Sequence, residues 1–557
     1  MKKLLIFCTM LIAMCLTAQV VSPERALGIA RSVLASTPES RIERQETLAG
    51  DDAVLAYVHH LTPVGYLVIS AREELPPLMA FSTTSSFSAN ESGNLLRELL
   101  TADLSSRLNF PPLHQKNQRK WNELEHRGGP LRLNGDYLLS TTWNQTQPYN
   151  ALCPMDPVSN SRSLAGCPAV AMAQILNYLQ ETHQTRFGDG DDYYHNYSGR
   201  NYMIDDDHEA NGFPSFDELN SYLEEVESAF RHDQPLNVTQ RAALIFAAGT
   251  ALKQIYSSQA SGTISVNQAY NAFLRFGFTN ATLIPHDDPD PYSTIATNIL
   301  DGIPVHLAVV TPAWDMGHNV VVDGINGEGM FHLNFGWGGS YDGWYNLPEG
   351  VPYGLSVLEG AVVNLQPQLR IMSMPEVLVL EAGQSQTIEI CSLINEPLIL
   401  EELIFGEGLD SALWQVTPEL PSTLDALGIL SLSFTFLQPT REVIESSIRL
   451  VFDNAWLEIP VRVTVSSPVE DSQFPPPSLD VSVSPNPFRQ NCQFLVDDKS
   501  SASYSLKIYN FKGQLVHKSS ELVWDGKNLS QKDCPSGIYL YRLQRGNSQK
   551  LGKLLKL

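Results

Sequence analysis

Cysteine is scarce: the chain has seven in 557 residues, and two of them, Cys8 and Cys15, fall within the first 18. The other five (Cys153, Cys167, Cys391, Cys492 and Cys534) are odd in number and widely scattered. That argues against a disulfide framework of the kind that holds small exported domains and leaves at least one thiol free. Positive charge is also short, with 37 Lys and Arg against 61 Asp and Glu, a net charge of −24. Such a balance argues against nucleic-acid binding, which begins with a basic face for phosphate. Beyond the N-terminus no apolar run approaches the roughly 20 residues needed to cross a bilayer. Proline (35) and glycine (36) are near average usage and 43% of residues are hydrophobic, which rules out collagen-like and largely disordered chains.

Residues 1–18 have the build of an export signal. Lys2 and Lys3 open it, Leu4 to Leu16 form its apolar stretch, and Leu16-Thr17-Ala18 offers a small-residue cleavage site before Gln19. At about 100–200 residues per domain, the remainder suggests three to five domains. Residues 19–130 mix a helical pattern over Pro23–Leu34 with strand-like runs at 54–58 and 65–70, a small α+β segment. Residues 115–130 are charged and close on Gly128-Gly129-Pro130, the composition of an exposed, cleavable connector. Residues 135–366 are rich in Trp, Tyr, Asn and Gly. From 367 to 470 short apolar runs separated by turn residues predict an antiparallel β-sandwich, 471–478 is a Pro-rich linker, and 479–557 is again all-β. The fold class is therefore α+β, followed by two all-β sandwich domains.

The free thiol with chemical promise is Cys167. It precedes Pro168 and a stripe of Ala169, Met172, Ala173, Leu176 and Leu179, spaced as the apolar face of a buried helix. Proline suits the first helical turn, so Cys167 stands at the helix N-terminus, where free N–H groups and the macrodipole favour thiolate. A thiolate nucleophile needs a base, usually histidine, oriented by a third group. His318, at the mouth of the strand GHNVVVDG, is the candidate base, and Asn334 on the return strand FHLNFGWGG is the candidate orienting group.

Register makes that pairing testable. A two-residue Asn326-Gly327 turn would pair 325 with 328 and 318 with 335, which sends His318 and Asn334 to opposite faces. An odd-length connection or a bulge brings them together, and Gly324, Gly327 and Gly329 make either easy. The odd register is predicted.

Gly166-Cys167 with AVAMAQILNY, Gly317-His318 with NVVVDG, and NFGWGGSYDGWYNL resemble the streptopain family of papain-like cysteine peptidases across about 135–366. The resemblance implies a papain-like domain with Cys167 as nucleophile, His318 as base and Asn334 as orienting residue. Gln145 would be the side-chain oxyanion donor and the Cys167 N–H the backbone one. Phe335, where the family usually has Trp, and Trp337 would support the His–Asn pair. Pro168 replaces a residue that in the family bears an N–H, without touching the donor at 167. Residues 19–130, best at 65–87, resemble the family's inhibitory propeptide, so the implied logic is a zymogen. Ser484-Pro485-Asn486-Pro487-Phe488, LKIYNFKGQLV and PSGIYLYRL resemble the C-terminal sorting domain of type IX secretion substrates of Gram-negative bacteria.

Together these imply a secreted or surface cysteine endopeptidase. Its partners are polypeptide substrates, its own propeptide and the secretion machinery, with no nucleic acid and no cofactor or metal. Two rival readings are an inactive papain-like surface binding or adhesion protein, and an amidase or transamidase using the same dyad. The acidic runs Asp189–Asp192 and Asp205–His208 read as solvated loops, and His306 and His332 as structural residues.

Overall fold

The computed structural model describes residues 20–35, 39–50, 53–87, 96–97, 100–101, 104–105, 117, 120–122, 124–125, 135–310, 317–347, 358–381, 383–438, 443–464, 481–486, 488–496, 504–510, 515–528, 532–534, 537–545 and 548–556. The proposed export signal (1–18) and the Pro-rich linker (471–478) lie outside the described residues. The chain divides into two compact units, one built from residues up to Glu227 with Pro235–Pro367, the other from Ser228–Gln234 with Gln368 onward.

In the first unit, helix α1 (Pro23–Leu34) starts where expected: Ser22 caps it by accepting from the Arg25 N–H at 3.2 Å, and Pro23 fills the first turn. Its Ala26, Ile29, Ala30 and Val33 are buried. Strands β1 (Arg41–Ala49), β2 (Val54–Thr62), β3 (Tyr66–Ser70) and β4 (Leu78–Ser82) follow as an antiparallel meander. Next come α2 (Cys167–Leu179), α3 (Val238–Ala251), α4 (Val266–Arg275), β5 (Thr282–Pro285) and α5 (Pro291–Leu300). Strands β6 (Val305–Val310), β7 (Gly317–Ile325), β8 (Phe331–Asn334), β9 (Gly343–Tyr345) and β10 (Leu358–Val363) follow and complete the main sheet; two short hairpins, Met155–Asp156 with Ser161–Arg162 and Tyr193–Tyr197 with Arg200–Ile204, and the helices His208–Asn211 and Phe216–Arg231 lie outside it.

All ten strands form one sheet in the order β1-β2-β3-β4-β9-β8-β7-β6-β10-β5. The N-terminal meander thus extends the same sheet that carries His318. At the β4–β9 joint Phe81 pairs with Trp344, their rings stacked 6.4 Å apart. The Ser82 and Ser85 hydroxyls both donate to the Asp342 carbonyl, at 2.8 and 2.7 Å, and the Tyr66 and Tyr345 hydroxyls bond each other. One buried cluster runs through both halves, with Val58, Val68 and Phe87 beside Val320, Leu333 and Phe335.

The expected exposed connector needs correction where it is described. Residues 120–122 and 124–125 are helical, and Trp121 is buried with its indole N–H donating to the Leu75 carbonyl at 2.9 Å. Arg25 lies over the Trp121 ring at 5.0 Å and bonds Glu125 at 2.6 Å. One large aromatic with a buried slot outweighs the surrounding charge. The Gly128-Gly129-Pro130 end lies outside the described residues.

The second unit holds the two all-β domains. In the first, a four-stranded sheet (Ile371–Met374, Ser385–Ser392, Ile429–Phe436, Trp414–Thr417) accompanies a five-stranded one. Leu378–Glu381 pairs parallel with Trp456–Thr464, an exception to the antiparallel expectation. Their inner faces share a core that includes Leu398, Leu432, Phe434 and Leu450. The second domain has a three-stranded and a four-stranded sheet around Phe488, Phe494, Trp524 and Tyr541.

Candidate active site

Helix α2 begins at Cys167 as the sequence predicts, and Pro168 through Leu176 are all buried. The turn before it depends on glycine. Gly166 has φ +84°, and a Cβ there would sit 2.3 Å from Gln254 Oε1. The Ala165 N–H donates to the Gln145 carbonyl at 2.8 Å, which holds the half-buried Gln145 beside the cysteine turn. Cys167 is a free, partly exposed thiol. Its Sγ faces Asn319, whose side-chain Nδ2 is 4.0 Å away and whose backbone N–H also points at it. Burial nevertheless pushes the Cys167 thiol up, with the Asn319 amides opposing only in part. The thiolate expected from the helix position is therefore disfavoured in this arrangement, because desolvation outweighs the hydrogen bonds from Asn319 and from the Cys167 backbone.

The register of β7 and β8 decides which residues meet His318. Ile325 pairs with Phe331 across the connection 326–330, an odd length as predicted, closed by Asn326 N–H to Met330 O at 3.0 Å. A bulge then intervenes at Asp323, so Val322 pairs with Leu333 and Val321 with Asn334. Either offset alone would put His318 and Asn334 on one face, but two cancel. The expected His318–Asn334 contact is accordingly not made. Asn334 Nδ2 donates to the Thr141 carbonyl at 2.8 Å, and its Oδ1 accepts from Gln174 Nε2 and the Gly336 N–H, both at 3.0 Å. It ties α2 to the turn after β8.

His318 instead donates from Nε2 to the Phe335 carbonyl at 2.9 Å. A carbonyl can only accept, so Nε2 carries the proton and Nδ1 keeps its lone pair, the tautomer a base requires. The ring stacks on Phe335 at 5.8 Å and meets Trp337 at 4.3 Å. Burial pushes His318 down to about 4 even though the carbonyl favours the charged form. Sequence reasoning missed this partner because backbone carbonyls carry no residue-type signal. The Phe335 N–H is in turn held by Asp342 Oδ1 at 2.8 Å, and burial raises that carboxyl to about 7. Asp342 is also the residue whose backbone carbonyl receives Ser82 and Ser85, so the N-terminal segment is connected to the imidazole through two residues, Asp342 and Phe335, each hydrogen-bonded on both sides.

The other singled-out residues have structural partners. His332 Nδ1 pairs with buried Asp323 at 2.6 Å, under the ring of Tyr137 at 4.3 Å. His306 Nε2 lies 2.8 Å from Asn319 Oδ1, one residue removed from the cysteine sulfur. Asp191 pairs with Arg275 at 2.8 Å, while Asp205 and Asp207 accept from the Phe216 and Met203 N–H groups.

A cysteine at the start of a buried helix, facing a strand whose histidine is fixed as a neutral base, is the layout of a papain-type thiol peptidase. An N-terminal segment continuing the same sheet gives it the form of a proenzyme. Residues 143–345 match the Peptidase C10 family, residues 18–103 the Spi protease inhibitor, and residues 478–554 the CHU_C type IX secretion signal domain. The chain is similar to streptopain of Streptococcus pyogenes, 25% identical over 338 residues, which cover 56% of this chain and 80% of that protein. It is also similar to the thiol protease/hemagglutinin PrtT of Porphyromonas gingivalis, 24% identical over 300 residues, 51% of this chain and 32% of that one. Among solved structures, a prointerpain A fragment of Prevotella intermedia is 22% identical with a TM-score of 0.41, covering 58% of this chain and 100% of the fragment. Active interpain A from the same organism is 24% identical with a TM-score of 0.31, covering 42% and 96%. The chain thus carries a streptopain-type cysteine protease domain, an inhibitor-type propeptide domain and a type IX secretion signal domain, the equipment of a secreted or cell-surface protease zymogen.

Proposed function

We propose that the protein is a cysteine endopeptidase, exported by its N-terminal signal, sorted through residues 479–557 in a Gram-negative bacterium, and kept latent by residues 19–130. Domain limits of 135–366 for the peptidase, 367–470 for the first sandwich and 471–478 for the linker belong to the same reading. The observation that carries it is the Cys167 turn, held against Gln145 by the Ala165–Gln145 bond at the start of a buried helix. The Cys167 thiolate attacks a peptide carbonyl, and the oxyanion is held by the Cys167 N–H and the Gln145 side chain. His318 takes the Cys167 proton at Nδ1 as the thiolate forms and passes that proton to the leaving amine, and water then releases the acyl group. The Phe335 carbonyl takes the orienting role, and Asn334 braces the helix.

Latency lies in this arrangement: burial disfavours the Cys167 thiolate, and the sulfur faces Asn319. Release of the N-terminal segment frees the Asp342–Phe335 turn and lets His318 reach Cys167. An inactive binding scaffold is favoured by one observation, the Asn319 contact at the sulfur, and would keep that contact after the segment is removed. Covalent labelling of the processed protein with an epoxide-type thiol inhibitor separates the two. The peptidase labels at Cys167 and loses activity; a scaffold does neither. A peptide-library digest separates an endopeptidase from an amidase.

A further inference from the structure

Gln254 lies just beyond α3 and is fully buried. Its own backbone is fixed at both ends: the N–H donates to the Gly249 carbonyl at 3.1 Å, and its carbonyl accepts from the Tyr193 hydroxyl at 2.7 Å. The side chain reaches away from that anchor to the cysteine turn. Its Nε2 donates to the Ala165 carbonyl at 2.8 Å. The carboxamide fills the space beside Gly166, where an added Cβ would meet Oε1, Cδ and Nε2 at 2.3, 2.7 and 2.8 Å. From the same loop, the Ser257 carbonyl accepts the Leu164 N–H at 3.0 Å. Ala165 is therefore gripped twice, through its N–H by the Gln145 carbonyl and through its carbonyl by Gln254.

We propose that Gln254 is a positioning residue for the nucleophile: its carboxamide fixes the Ala165 carbonyl and the left-handed Gly166, and so aims the Cys167 N–H and Sγ. This rests on reading Cys167 as the nucleophile. The N–H of Cys167 follows Gly166 directly, and a glycine in the left-handed region has no side chain to resist rotation. Without the carboxamide against it, both the oxyanion donor and the sulfur swing with that peptide. Displacements of about 1 Å at a reacting group cost on the order of a hundredfold in rate. Gln254 touches neither substrate nor sulfur, so its effect falls on turnover and not on substrate binding.

The test compares Gln254→Glu and Gln254→Ala, each made as the full chain and assayed after maturation beside wild type. Glutamate keeps the shape. In its neutral form the carboxyl O–H donates to the Ala165 carbonyl; ionised, it cannot donate and sets a negative charge against a carbonyl oxygen. Burial raises such a carboxyl, so the change falls in an accessible range. Relative to wild type, Gln254→Glu is expected to keep kcat within about threefold near pH 5 and to lose at least about tenfold by about pH 9.5, above the range a buried carboxyl reaches, with KM within about twofold throughout. Gln254→Ala is expected to lose about ten- to a hundredfold in kcat at every pH, again with little change in KM. A residue that merely filled space would give Gln254→Glu the wild-type pH profile, and that result overturns the proposal. So does a Gln254→Ala kcat within about twofold of wild type. If Gln254→Ala does not fold, the Gln254→Glu profile decides alone. Epoxide labelling is read on the same samples: wild type that turns over without labelling at Cys167 removes the nucleophile assignment itself, and Gln254's role with it.

Discussion

Latency should be adjustable at the β4–β9 joint without touching the peptidase. Tyr66→Phe removes a hydroxyl that bonds the Tyr345 hydroxyl, while Tyr345 keeps its own bond to the Tyr341 carbonyl at 2.6 Å. Ser85→Ala removes one of two donors to the Asp342 carbonyl and leaves Ser82 in place at 2.8 Å. Both side chains are buried and both changes nearly preserve shape. Each lost bond is worth about 1 kcal/mol net, so the double variant loses about 2 kcal/mol of docking. At about 1.4 kcal/mol per tenfold, the open fraction of the unprocessed chain rises about thirtyfold. The assay is the rate at which an epoxide thiol inhibitor labels Cys167 in the uncleaved chain, before processing sets in. That rate should rise by one to two orders of magnitude, and the mature enzymes, identical in sequence, should have identical kcat. Equal labelling of wild-type and double-variant precursors would refute the view that this joint holds the enzyme latent.

Gln145→Ala should lower turnover by ~3–4 kcal/mol of barrier, about a hundred- to a thousandfold, with an unchanged melting temperature; equal turnover removes it as an oxyanion donor. Asn334→Ala should act on stability, by about 2–3 kcal/mol from its bonds to Thr141, Gln174 and Gly336, and far less on kcat. A large kcat loss without a change in denaturation midpoint would restore it as the group that orients His318. Acid should destabilise the precursor. His59, His306 and His318 are each pushed down to about 4 by burial, against about 6.5 in the unfolded chain. The unfolded state takes up these three protons first, so their share of stability is complete above about pH 6.5 and is lost as pH falls toward about 4; Asp342, raised to about 7, opposes this with one proton against three. Melting of the Cys167→Ala precursor at pH 7 and pH 5 checks this, and equal midpoints contradict it.

The parts of the site set by local periodicity were readable from sequence. Pro168, the apolar stripe and Gly166 placed Cys167 at a helix start, and the helix begins there. Pro23–Leu34 and the strand runs of the N-terminal segment were likewise local patterns. The His318–Asn334 geometry was not readable, because it depends on parity. The odd connection was foreseen, but the bulge at Asp323 reverses it. That bulge accompanies the Asp323–His332 pair within the hairpin and the Leu138 and Leu139 N–H bonds to Asp323, the latter made by chain distant in sequence. Trp121 shows the same limit in the other direction. Its charged neighbours advertise an exposed connector, and only the slot beside Leu75 and Arg25 shows otherwise. The join between β4 and β9 is a contact between strands more than 250 residues apart in numbering, and no window of sequence contains it.

The central claim is that Cys167 is the nucleophile of a peptidase that is latent only while its N-terminal segment is in place. The most direct measurement is mass-spectrometric mapping of an epoxide-type thiol inhibitor on processed and unprocessed protein, with hydrolysis of a protein substrate followed in parallel. The account predicts stoichiometric modification at Cys167 in the processed protein together with loss of hydrolysis, and slow modification in the precursor. Hydrolysis that persists in a Cys167→Ala protein, or processed protein that hydrolyses substrate with Cys167 unmodified, would contradict it.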